Sequence, residues 1–67
     1  MSIAPFLIFL NNFGNLYSEQ KEYEKAEEYY LKAIDAGDNN ALNNLRILYT
    51  EKNEHTKLEE LNQKYKI

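Results

Sequence analysis

The chain has 67 residues, no cysteine and a formal net charge of -3. Those numbers exclude a disulfide framework, a thiolate metal site and more than one small domain, because a chain this short hides only about 60% of its unfolded surface. They also argue against the concentrated basic face that nucleic acid requires, since the 8 Lys and Arg are scattered among 11 Asp and Glu.

The opening stretch MSIAPFLIFL is almost wholly apolar. No Lys or Arg precedes the run, and Asn11 ends it at about half the length of a membrane-spanning helix. A cytoplasmic protein with neither a secretion signal nor a membrane segment is expected. Turning about 100° per residue instead places Ile3, Phe6, Leu7, Leu10, Phe13, Gly14 and Tyr17 on one helical face. Pro5 is tolerable only in a first turn, so this helix starts near Ala4, with Ser2 available as a cap.

A second helix carries Tyr23, Ala26, Tyr30, Ala33 and Ile34 on its stripe and stops at Gly37, where a left-handed closing residue costs glycine least. Asp38 or Asn39 caps a third, striped by Ala41, Leu42, Leu45, Leu48 and Tyr49. The fourth shows Leu58, Leu61 and Tyr65, with Thr56 and Glu59 spaced as a capping box. Nothing alternates with period two. An all-α fold with short connections and antiparallel neighbours follows.

The pattern also repeats. NNFGNLY at Asn11–Tyr17 returns as NNLRILY at Asn43–Tyr49, 32 residues later. Leu10, Phe13-Gly14, Tyr17, Ala26 and Tyr30 stand at the spacings of the tetratricopeptide repeat, which the first two helices resemble, with Asp38 where that family has proline. The junction is similar to the Sel-one-like repeat, with Ala33, Gly37, Ala41, Leu45 and Tyr49 in place, but it lacks that family's longer glycine-containing turn. The second unit is degenerate: Arg46 replaces the packing glycine, Leu58 replaces Ala26 and Tyr65 replaces Ala33. The resemblance implies one domain over 1–67, made of two helix-turn-helix repeats at about 4–37 and 39–66. These stack as a short right-handed α-solenoid.

Both families are non-catalytic scaffolds for protein contact, and the residues themselves point the same way. His55 is the only histidine, and its neighbours Glu51 and Glu54 read as a solvated helix end. Ser2 and Ser18 have no base beside them, and no glycine-rich phosphate loop occurs. The run EYEKAEEYY reads as an exposed face supported by pairs such as Glu28–Lys32. No enzyme activity, cofactor or metal is expected.

Two surfaces remain as candidates. In tetratricopeptide pairs the first helix of each repeat lines a concave groove, which here implies Ile8, Asn11, Asn12 and Asn15 from helix one. From helix three it implies Asn40, Asn43, Asn44 and Ile47. Asparagine amides both donate and accept, which suits the backbone of an extended peptide. Asn15 and Asn44 match two positions of the clamp that holds chaperone C-terminal carboxylates. Asn11 stands where the clamp has its first lysine and a third repeat is missing, so a true carboxylate clamp is not expected. The other surface is the first helix, where Phe9 and Leu16 widen the apolar arc on one flank, whereas helix four is a polar cap. Ile3, Phe6, Phe9, Leu10 and Leu16 are therefore the expected self-association residues, giving a homodimer of two-repeat protomers. The alternatives are a peptide-binding adaptor and a piece of a longer array.

Overall fold

The computed structural model describes residues 4–65, and the side chains of residues 9–65. Ser2, Ile3 and Lys66 lie outside the described residues, and so do the side chains of Phe6, Leu7 and Ile8.

Four helices occupy the described residues: α1 (Ala4–Glu19), α2 (Tyr23–Asp35), α3 (Asn39–Glu51) and α4 (His55–Tyr65). Each packs on its chain neighbour, and α1 also touches α3. This all-α arrangement of two stacked antiparallel hairpins is a short α-solenoid.

The turns explain why the hairpins close so tightly. After α2, Gly37 takes φ +100°, donating its N–H to the Ile34 carbonyl while Asp38 donates to Ala33. That pair of bonds is the Schellman motif, which satisfies the last carbonyls of a helix. The Asp38 carboxylate then accepts the Asn40 N–H at 2.9 Å and caps α3. The other two turns repeat the motif without glycine. Lys21 (φ 63°) donates to Ser18 and Glu22 to Tyr17, while Asn53 (φ 59°) donates to Thr50 and Glu54 to Tyr49. Every one of these positions is displaced by 32 residues from its counterpart, so the sequence repeat is a backbone repeat.

The core comprises Leu10, Ala26, Tyr30, Ala33, Ile34, Ala41, Leu42, Leu45, Leu48, Tyr49 and Leu61. Ala26, Ala33 and Ala41 are fully buried, which lets three helix backbones converge. Gly14 has the same role more acutely. A Cβ there would sit 2.5 Å from two ring carbons of Tyr30, so the ring lies where only a hydrogen fits.

Two expectations need correction. Phe13, read as a core residue, is 44% exposed and leans on Tyr29 at 5.5 Å between ring centroids. The stripe on α1 is wider than the single neighbouring hairpin can cover. The Thr56–Glu59 capping box does not form either. The Leu58 N–H already donates to the Glu54 carbonyl, so Glu54 is the residue before the helix and Thr56 lies inside it.

Candidate functional site

The first surface is the outer end of the solenoid. Phe9, Phe13 and Leu16 are 61%, 44% and 46% exposed, although they fall on one arc of α1. Their counterparts 32 residues on, Ala41, Leu45 and Leu48, are 0%, 0% and 1% exposed. Those three flank Asn44, which is bonded to α1, so they mark the side of α3 that meets the first hairpin. The aromatic row continues onto α2, where Tyr29 stacks on Tyr17 at 5.5 Å. Lys25 covers the Tyr17 ring and Lys32 the Tyr29 ring, at 5.4 and 5.2 Å. The counterpart of Tyr29 is Leu61, the one buried residue of α4. The end face thus repeats, uncovered, the pattern with which the second hairpin packs on the first. Leu10 belongs to the core and is turned away from this face.

The second surface is the asparagine-rich edge of α1 and α3. Three of its amides are engaged internally. Asn44 donates from Nδ2 to Asn11 Oδ1 at 3.0 Å, tying α1 to α3. Asn15 Oδ1 accepts the Tyr30 hydroxyl at 2.5 Å. Burial raises the Tyr30 pKa, with Glu51 and Glu19 adding to the rise and a hydrogen bond with Ser18 opposing it. Asn12, Asn40 and Asn43 are exposed, and Ile47 lies beside them at 49% exposure.

A third cluster was not singled out by the sequence. Glu27 Oε2 accepts the Tyr49 hydroxyl at 2.6 Å and faces Lys57 Nζ at 3.5 Å, so one carboxylate oxygen joins α2, α3 and α4. Lys57 also reaches Glu54 Oε1 at 3.3 Å, and Lys52 reaches Glu54 Oε2 at 2.6 Å. Burial first, and then the hydrogen bond to Glu27, raises the Tyr49 pKa well above the phenol range. The Lys52 hydrogen bond, aided by Lys57, lowers the Glu54 pKa, and the charge of Glu27 leads the rise at Lys57. His55 is exposed beside this cluster. Among the described residues no three His, Asp or Glu side chains gather where they could hold a metal ion. No described helix is long and apolar enough to cross a membrane.

Antiparallel helix pairs that stack by repetition define the class of α-helical repeat proteins, whose sides and ends serve as contact surfaces. Residues 8–39 match the tetratricopeptide repeat, and that stretch is a tetratricopeptide repeat. The match covers α2 entirely and α1 from Ile8 onward. It adds nothing to the Sel-one-like reading of the junction. No curated protein and no solved structure gave a match. Tetratricopeptide repeats generally mediate protein–protein interaction.

Proposed function

We propose that this protein is a non-catalytic interaction module that pairs with a second copy of itself through the outer face of α1 and the adjoining edge of α2. The observation that carries the reading is the one-to-one correspondence between exposed Phe9, Phe13 and Leu16 and buried Ala41, Leu45 and Leu48. A surface built to receive a helical hairpin is open to solvent, and its aromatic side chains are larger than those at the inner junction.

The other end of the solenoid is a poor complement for it. Tyr30 and Ala33, buried within the first hairpin, correspond in the second to exposed Asn62 and half-buried Tyr65. Head-to-tail stacking would set aromatic rings against amides. Two like ends make the better match, and a two-fold contact needs only one self-complementary patch.

Light scattering across a concentration series tests this, with Phe9→Glu as the variant. Phe9 is exposed, so the fold survives the substitution. The wild type is expected to reach twice the monomer mass as concentration rises, while Phe9→Glu remains monomeric. A wild type that stays monomeric throughout overturns the reading. That result would favour the other edge, where exposed Ile47 among Asn12, Asn40 and Asn43 offers an apolar contact beside free amides to an extended peptide.

A further inference from the structure

The fourth helix has little apolar attachment. It packs its backbone only against α3, and it buries Leu61 alone, with Leu58 and Tyr65 half-covered. At the place where Gly14 and Tyr30 interlock in the first hairpin, the second has an exposed hydrogen bond from Arg46 Nε to Asn62 Oδ1, 2.9 Å long. What links α4 to α2 is charge: Lys57 reaches Glu27 across a gap that the backbones do not close.

We infer that α4 is a latched cap, held by the Glu27–Lys57–Glu54–Lys52 chain of ion pairs and able to swing away about the Lys52–Glu54 turn while α1, α2 and α3 stay packed. Of these ion pairs, Glu27–Lys57 crosses from α4 to another helix, while Lys57–Glu54 and Lys52–Glu54 brace the turn on which α4 swings. Glu27 comes from α2, and Tyr49 of α3 donates to it. Lys52 follows α3 and lies over the Tyr23 ring at 5.8 Å. Lys57 belongs to the first turn of α4. Glu60 and Lys64 of α4 face the same recess, which Glu27, Tyr49 and Leu61 also line. Release uncovers the part of the core on which Leu58, Leu61 and Tyr65 rest, giving the solenoid a second open end.

Charge sets the window in which the latch holds. The Glu54 pKa is lowered in the folded chain, so its contribution is present above the ordinary glutamate value and is lost as pH falls through the lowered one. The Lys57 pKa is raised, so its contribution is present below the ordinary lysine value and is lost as pH rises through the raised one. Between those limits the charges brace the turn and the first turn of α4.

Amide hydrogen exchange of the full chain, resolved by residue, is the test. Raising the ionic strength to about 1 M shrinks the Debye length to about 3 Å, which weakens these partly exposed pairs. At neutral pH that change is expected to speed exchange in α4 several-fold while the amides of Tyr30–Ile34 keep their protection. Lys57→Met keeps an unbranched side chain of similar length and removes the charge, including its contact over the Tyr49 ring. Glu27→Gln keeps an acceptor for the Tyr49 hydroxyl and also removes a charge. Each is expected to speed α4 exchange by about two- to fivefold, the range of a surface ion pair, and to abolish most of its salt response. Two results overturn the inference. One is α4 and α2 exchanging in step under every condition, which makes them a single unfolding unit. The other is α4 protection that neither salt nor either variant alters.

Discussion

The two hairpins share a backbone and differ in what holds them together. Both turn through the same hydrogen bonds, displaced by 32 residues: Glu22 to Tyr17 in one, Glu54 to Tyr49 in the other. The first then closes on Gly14, Ala26, Tyr30 and Ala33, a small-against-large interlock with little room to move. The second substitutes Arg46, Leu58, Asn62 and Tyr65 at those places and closes on a hydrogen bond and ion pairs. One backbone geometry is therefore compatible with two different packing solutions in adjoining repeats. A single methyl group shows this contrast most strongly. In Gly14→Ala the new Cβ meets the Tyr30 ring at 2.5 Å, and that ring is buried, so it must leave its place or push the helices apart. Overpacking of this kind costs about 1–3 kcal/mol. Arg46→Ala, the matching change in the second hairpin, removes one exposed hydrogen bond and costs under about 1 kcal/mol. Urea unfolding of the two variants measures both. Equal losses would mean that the hairpins do not differ in the way proposed.

The interlock was legible because each residue in it is unusual for its place: glycine inside a helix, alanine on a core stripe, tyrosine at fixed offsets. Helix number, order and approximate limits were legible for the same reason, since 3.6-residue periodicity and Gly37 mark them directly. The exposure of Phe13 was not. Periodicity shows that α1 has a wide apolar arc, but not which part of that arc has a neighbour. Among the described residues α1 adjoins one further hairpin, so Phe9 and Leu16 read as surplus while Phe13, nearer the middle of the stripe, reads as core. The start of α4 was misplaced because Thr-x-x-Glu is a local signal. The repeated turn, which sets Glu54 where Glu22 stands, overrides it. The partners of the asparagines were equally hidden, because an amide looks the same in sequence whether it faces solvent or another amide.

That last ambiguity can be resolved energetically. Asn11 and Asn44 form a half-buried bond between α1 and α3, one of the few polar links between the hairpins. A double-mutant cycle with Asn11→Ala and Asn44→Ala is expected to give a coupling of about 0.5–1.5 kcal/mol, the net worth of one intramolecular hydrogen bond. Asn12 and Asn43 are exposed and make no such bond, and the same cycle on them is expected to return a coupling near zero. A coupling of similar size in both pairs would remove the distinction between the amides that hold the hairpins together and those left for a partner.

The smallest effects lie in the turns, and they compare all three junctions at once. Lys21, Gly37 and Asn53 occupy one site of one motif with φ values of 63°, 100° and 59°. Left-handed backbone costs most L-residues about 1–2 kcal/mol, is tolerated better by asparagine, and is free for glycine. Glycine gives back part of that gain, because its unfolded chain is more flexible. Lys21→Gly is therefore expected to stabilise the chain by about 0.5 kcal/mol, and Asn53→Gly by less. Gly37→Ala runs the other way. Nothing crowds a Cβ there, so the loss, about 1 kcal/mol, is purely conformational. Thermal unfolding of the three variants ranks them. If Lys21→Gly fails to stabilise while Gly37→Ala still destabilises, the lysine must gain something in its turn that its backbone angles do not show. The first and second hairpins would then differ in their turns as well as in their packing.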